Sequence, residues 1–154
     1  MTTTLAFALR AAQPADAEFE QLLYASTRED LRPLGPEVFD GLVGMQFRAQ
    51  SMAIRLDHPN AERHIVLVDG EPAGRLVVDA AADQIEILDI ALLPEYRSHG
   101  VGTGVLGGVL ARANRGGRSV RAYVEKRSRA LRFFERLGFA PSGEAGIYLA
   151  MSHA

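Results

Sequence analysis

The stretch from Gln84 to Val124 constrains this chain most. It sets an apolar strand, a polar glycine-bearing loop, an amphipathic helix and a second strand end to end. Gln84 to Leu93 is rich in isoleucine and leucine. Pro94-Glu95-Tyr96-Arg97-Ser98-His99-Gly100-Val101-Gly102 breaks that run. Leu106, Val109, Leu110 and Ala113 then fall at i, i+3, i+4 and i+7, one face of a helix. Gly116-Gly117 closes the helix, and Val120 to Val124 reads as a strand. Two strands joined through a helix lie parallel in one sheet. The unit therefore calls for an α/β fold.

The remaining segments make that sheet a mixed one. Leu5 to Arg10 is a candidate first strand. Pro14, with Asp16 and Glu18, starts a helix, since proline suits the first turn and acids suit the positive end of the dipole. Phe19, Leu22 and Leu23 are its expected apolar face. Pro33, Gly35 and Pro36 break the chain before a second helix with Phe39, Leu42, Val43 and Phe47 on one side. His58-Pro59-Asn60 ends it. His64 to Val68, the hairpin signal Asp69-Gly70, Ala73 to Val78, and then Gln84 to Leu93 form an antiparallel meander. Ser128 to Leu137 is a last helix with Ala130, Phe133, Phe134 and Leu137 inward. Short strands follow near Phe139 and from Ile147 to Met151.

Composition narrows the class. The 154 residues are 47% hydrophobic and 23% charged, with net charge -2 and no cysteine. A disulfide framework, a thiolate zinc site and a cysteine nucleophile are excluded. The charge offers no footprint for nucleic acid or for a basic membrane contact. The start of the chain lacks the basic, long apolar pattern of a signal peptide, and no stretch is long enough to span a bilayer. A cytoplasmic protein is expected. His58 and His64 are too isolated to suggest a metal site.

The loop carries the chemistry. Glycines let several amide N–H groups converge, and a helix N-terminus behind them makes an anion site suited to a diphosphate. A P-loop would need a lysine followed by Ser or Thr after the last glycine, and there is none. Gly102, Gly104 and Gly107 spell G-x-G-x-x-G, and Glu125 stands where a ribose-binding acid would. Yet the intervening Pro-Glu-Tyr-Arg loop and the short remainder of the chain do not suit a dinucleotide fold.

Arg97-x-x-Gly100-x-Gly102 resembles the pyrophosphate loop of the GNAT acetyltransferase superfamily. Upstream, Ile90-Ala-Leu-Leu-Pro-Glu-Tyr-Arg97 resembles that family's lead-in strand. Downstream, Phe133-Phe-Glu-Arg-Leu-Gly-Phe139 resembles its Gly-Phe ending. The likeness runs from about Glu86 to Phe139. It implies a single domain over residues 1–154, with a mixed sheet of about six to seven strands and about four helices. It also implies an N-acetyltransferase with acetyl-CoA as co-substrate and a small-molecule or peptide amine as acceptor. Transfer would be direct, in a ternary complex. Dimers are common in the family.

By the same resemblance, backbone N–H groups of Arg97, Ser98, His99, Gly100, Val101, Gly102 and Thr103 would hold the diphosphate, with Arg97 adding charge. Leu92 and Leu93 would end a strand that splays from its neighbour and pairs with pantetheine. The Leu92 N–H would polarise the thioester carbonyl. Glu86, six residues before Leu92, is the first candidate for the base that deprotonates the amine. It alternates with Leu88 and Ile90 along the strand. Asp89 is the alternative base. Arg127, Arg129 and Arg132 are candidates for the 3′-phosphate, or else a solvated helix face. Phe134, also expected against the cofactor, stands where many relatives have a tyrosine, and Arg127 where many have an asparagine. The proton for the leaving thiolate would then come from Tyr123, Tyr148 or water. These departures keep open a CoA-binding module without transfer activity.

Overall fold

Residues 5–154 are described by a computed structural model. Among them, seven strands form one sheet: β1 (Ala8–Ala11), β2 (Glu62–Val68), β3 (Glu71–Ala80), β4 (Gln84–Leu92), β5 (Ser119–Glu125), β6 (Ala140–Ala145) and β7 (Tyr148–His153). Four α-helices flank it: α1 (Ala17–Ser26), α2 (Pro36–Asp57), α3 (Val101–Arg115) and α4 (Ala130–Arg136). The order is β1-β2-β3-β4-β5-β7-β6. β4 and β5 run parallel, joined through α3; the other neighbours are antiparallel. This is the mixed α/β sheet the strand–loop–helix–strand unit required.

The pleat sends alternate side chains to opposite faces. On one face Val66, Leu76, Val78, Ile85 and Ile87 pack with Val101, Val105 and Leu106 of α3 and Phe134 of α4. The other face lies under α1 and α2, which bury Leu23, Phe39 and Val43. Charge is buried there too. Glu20 and Arg75 are 2% and 4% exposed. Arg75 donates to Glu20 (Nη1, 2.6 Å), Asp89 (Nε, 2.7 Å) and Gln50 (Nη2, 3.2 Å). Arg63 adds bonds of 2.9 and 3.0 Å to Glu20.

Several boundaries differ from the sequence reading. β1 begins at Ala8, because Leu5 donates its N–H to the His99 carbonyl (2.9 Å) and leaves the sheet. The Phe7 ring fills the space beside Gly104, where a Cβ would come within 2.5 Å of it. Leu22 does not belong to the inward face of α1. It is 61% exposed, because Glu20 and its arginines take the position toward the sheet. Ile147 lies in the turn before β7 and is also 61% exposed. The Asp69-Gly70 hairpin forms as expected, with φ of 52° and 77° and Val68 opposite Glu71. Two positive φ values are the mark of a type I′ turn.

One irregularity redirects the site. Val77 faces Asp89 but Val78 faces Ile87, so Leu88 is an extra residue in β4. The bulge breaks the alternation expected of Glu86, Leu88 and Ile90. Glu86 pairs with Asp79 and Asp89 with Val77. Both carboxylates therefore share the face under α1 and α2, and Ile90 takes the other.

The N-terminal turn hangs on Asp16. Arg10 grips both its oxygens (2.8 Å each), and the Gln13 N–H adds 2.8 Å. The Arg10 bond first, then the Gln13 bond, lowers the Asp16 pKa from 3.8 to about 2. Glu62, held chiefly by Arg112, is likewise lowered to about 2. A lowered carboxyl pKa contributes stability that is complete above the unfolded value and lost as pH falls through the folded one. Thermal melts from pH 5 to pH 2 should show the wild type losing several degrees more than Asp16→Asn/Glu62→Gln over that range. Parallel curves would refute the linkage.

Candidate active site

β4 and β5 stay together only from Gln84 to Ile87 and Ser119 to Ala122. Beyond that, Tyr123 to Glu125 pair with β7 alone, and Asp89 to Leu92 pair with β3 alone. A wedge opens between the two parallel strands. It starts beside the Leu88 bulge, where local twist is increased. Gly74 presses β3 against the far end of β4, since a Cβ there would collide with the Ala91 carbonyl.

Hydrogen-bond alternation decides which amides face the wedge. The Leu93 N–H donates to the Ala73 carbonyl (2.8 Å), so residues of its parity face β3. The N–H groups of Leu92 and Ile90 point the other way, into the wedge. Leu92 and Leu93 thus do not act as a pair: Leu93, expected to meet pantetheine, has its amide occupied by β3.

The glycine loop sits at the mouth of the wedge. Ser98 has φ of 64° and Gly100 φ of 79°. Glycine adopts this left-handed form freely, whereas Ser98 bears a cost of about 1–2 kcal/mol. Gly100 accepts the N–H of Gly104 and caps α3. The N–H groups of Val101, Gly102 and Thr103 then have no carbonyl within the helix, and the positive end of the α3 dipole lies behind them. The Val101 side chain is fully buried and anchors the turn. Arg97 bends back: its Nε donates to the Leu92 carbonyl (3.0 Å) and its Nη2 to that of Ser26 (3.5 Å). It ties the loop to β4 and to the end of α1.

A cleft of about 540 Å³ runs from this loop along the wedge. Ile90, Leu92, Arg97, Ser98, Gly100, Gly102 and Thr103 form one wall, and Arg129, Phe133 and Arg136 form the other. Arg129, Phe133 and Arg136 are spaced i, i+4, i+7, one helical face. Of the expected arginines, Arg129 lines the cleft; Arg127 and Arg132 do not. Arg127 precedes α4, and Arg132 falls on another face of it. Arg136 escaped the sequence reading, although the helical period from Phe133 points to it. Phe134 is 3% exposed, stacked edge-on against Phe139 at 5.0 Å, and closes the cleft floor. His99 is tied through its carbonyl to Leu5, and its side chain does not line the cleft.

A second cavity of about 330 Å³ lies across β4, lined by Tyr24, Arg28, Gln50, Arg75, Asp89 and Glu125 among others. It adjoins the cleft at Thr27, Ile90, Ala91 and Ser128. Asp89 is 24% exposed in its side chain and bonds Arg75 through Oδ2. It also lines the wedge, with Tyr123. Glu86 is placed differently. It is 14% exposed in its side chain and engages Arg121 at 2.7 Å and His58 at 3.3 Å. His58 also meets Asp79 at 2.7 Å. The Arg121 bond to Glu86 outweighs burial and raises the Arg121 pKa. Glu86 lines neither cavity nor wedge. Tyr148 lies opposite Glu125 on β7 and lines none of these spaces either.

The family model for the acetyltransferase (GNAT) family matches residues 21–139. The chain belongs to this family. GNAT enzymes are acyltransferases with acetyl-CoA as co-substrate. Solved structures share the fold. PaiA N-acetyltransferase from Thermoplasma acidophilum, in complex with coenzyme A, superposes with a TM-score of 0.73 at 17% identity, covering 96% of this chain and 98% of that one. An acetyltransferase from Thermus thermophilus gives 0.69 at 20% identity, covering 99% of each. Naa50 from Arabidopsis thaliana, in complex with the bisubstrate analogue CoA-Ac-MVNAL, gives 0.63 at 13% identity, covering 97% and 99%. No curated protein matches this GNAT chain by sequence. Among the described residues, no helix is long and apolar enough to cross a membrane.

A Cβ at Gly102 would stand 3.5 Å from Phe133 and 3.7 Å from Leu92, ordinary contacts inside the cleft. Gly102→Trp should therefore keep the fold and fill the cleft. Calorimetric titration with coenzyme A should show binding to the wild type and at least a hundredfold weaker binding to the variant, with melting temperatures within a few degrees.

Proposed function

We propose that this GNAT domain, spanning residues 1–154, moves the acetyl group of acetyl-CoA directly onto a primary amine of a small molecule or peptide. The observation that carries the reading is the wedge between β4 and β5. A cleft with free amides and arginines opens on one side of β4, a separate carboxylate-bearing cavity opens on the other, and the two adjoin at Ile90 and Ala91. Two substrates can then meet without an enzyme-bound acyl group.

The residues fit the co-substrate. Free N–H groups at the start of α3 suit a diphosphate, Arg129 and Arg136 suit a further phosphate, and the Ile90 and Leu92 amides suit the extended pantetheine arm. Bound acetyl-CoA supplies the activated acyl carbon as a thioester. The Leu92 N–H donates to the carbonyl oxygen as it gains charge. Asp89 takes the proton from the acceptor ammonium, directly or through water, and frees the lone pair that attacks. The C–N bond forms, the nitrogen releases its second proton to water, the C–S bond breaks, and the thiolate takes a proton from Tyr123 or water. Phe134 has none to give.

Asp89 is preferred to Glu86 as the base because it borders both the acceptor cavity and the wedge, and its bond to Arg75 uses Oδ2 and leaves Oδ1 available. Glu86 is engaged by Arg121 and His58, away from both. In an amine screen followed by steady-state kinetics, Asp89→Asn should lower kcat by about 10²–10³-fold while coenzyme A still binds. Glu86→Gln should lose less than tenfold. A larger loss at Glu86 would move the base there. Coenzyme A binding with every amine left unacetylated would favour a binding module instead.

A further inference from the structure

α2 carries a face that nothing in the described protomer covers. Its inward side holds Phe39 and Val43. On the opposite side Val38, Leu42, Met45, Ala49, Met52 and Leu56 follow one another at steps of four, three, four, three and four residues. That is an unbroken apolar heptad stripe. Val38, Met45, Met52 and Leu56 are 51%, 54%, 58% and 74% exposed, and Ala49 is exposed among them, while Leu42, expected inward with Phe39 from the sequence, is half-buried at the margin of the stripe. Single exposed apolar residues are ordinary, but a continuous stripe along a 22-residue helix marks a contact surface. Gly41, beside the stripe, has no atom within 4 Å of where its Cβ would stand. A mid-helix glycine costs about 1 kcal/mol relative to alanine, and no contact within the protomer requires it.

We propose that α2 pairs antiparallel with α2 of a second copy of this chain. A 3.5-residue repeat is the seam of a helix pair, whereas a helix lying on a membrane needs a broader apolar face. The stripe is self-complementary when reversed. Val38 of one copy meets Leu56 of the other, Leu42 meets Met52, and Met45 meets Ala49. The small Ala49 leaves room for the long Met45 opposite, so the centre of the seam interdigitates. A register shifted by one heptad loses that match and leaves an end of each stripe uncovered. Charge agrees with the direction. Glu37 and Arg55 lie on the same flank of the stripe, near opposite ends of the helix, and reversal sets each against the other across the two-fold. A parallel pair would set this flank against the opposite one, where Asp57 answers Arg55 but Phe39, Gln46 and Ala53 leave Glu37 without a partner. Arg48, on the charged flank, lies back over Gly44, with Nη1 3.2 Å from the Cβ position there. It leaves the seam clear. Such an interface is isologous and closes at two copies.

Sedimentation velocity on the full chain should give twice the 16.7 kDa of one copy. Met45→Lys/Met52→Lys should halve that mass while leaving a cooperative melt and coenzyme A binding. Charge reversal gives a second test. Glu37→Arg or Arg55→Glu alone should weaken the dimer, and the two together should restore it. Direction can be read by cross-linking, because the chain has no cysteine of its own. Val38→Cys/Leu56→Cys should form a disulfide-linked dimer and each single variant should not. Within one helix these positions are about 27 Å apart, beyond an internal bridge. A wild type that stays monomeric, including one that sediments only with anionic phospholipid vesicles, would overturn the proposal. So would a dimer indifferent to the lysine pair, or a linked dimer from Val38→Cys alone.

Discussion

The buried guanidinium of Arg75 is the constraint around which one face of the sheet is organised. A charge taken out of water must be met by opposite charge and hydrogen bonds. Arg75 is met from three elements: Glu20 on α1, Gln50 on α2 and Asp89 on β4. The α1–α2 layer is therefore docked by a specific set of charges as well as by Leu23, Phe39 and Val43. Apolar contacts tolerate small slides of a helix across a sheet; a fork-shaped donor with three acceptors does not. The same contact fixes the Asp89 carboxylate at the edge of the smaller cavity and leaves its second oxygen available. Docking of the helical layer and orientation of the preferred base are thus one interaction.

The wedge follows from a conflict between two strands. β5 is held by β7 up to Glu125, and β4 is held by β3 through to Leu92. Once the Leu88 bulge has twisted β4, the two cannot remain parallel neighbours. An unpaired strand edge inside a sheet is normally a liability. Here it faces a cleft, where the Ile90 and Leu92 amides can meet solvent or an extended ligand. The glycine loop lies at the open end because α3 must start where β4 stops. The free N–H groups at the start of α3 and the amides of Ile90 and Leu92 are aligned by chain connectivity alone.

What can be read in the sequence is what depends on local spacing. The loop, the helix period of α3 and the Asp69-Gly70 turn are decided within a few residues, and all three stand in the fold. Long-range pairings are hidden. Nothing around Glu20 says that it meets Arg63 and Arg75, more than forty residues away, so the apolar pattern alone puts Leu22 inward. The Leu88 bulge is a mismatch between β3 and β4, and β4 by itself reads as a regular strand. That one added residue puts Glu86 on the face of Asp89 rather than of Ile90, where Arg121 and His58 engage it. Arg136 is within reach of the sequence, since it continues the face of Arg129 and Phe133, but the family likeness draws attention to the start of α4 rather than to its period.

A net charge of only -2 conceals an uneven distribution of charge about β4. On the cleft side of β4 stand Arg97, Arg129 and Arg136 with the positive end of α3. On the other side the carboxylates of Glu20, Asp89 and Glu125 stand together with Arg28 and Arg75, so charge of both signs lines that cavity. A wall of arginines on one side and a wall that includes carboxylates on the other act differently on the two substrates of the proposed reaction. A polyanionic acyl carrier is drawn to one side and an ammonium to the other, and each is disfavoured in the other's place. The separation bears on chemistry as well as on order of entry. The ammonium must lose its proton beside the carboxylates, and the acyl oxygen gains charge beside the Leu92 amide, so each change occurs where the surroundings favour it. A single strand of nine residues divides the two environments and supplies a group to each.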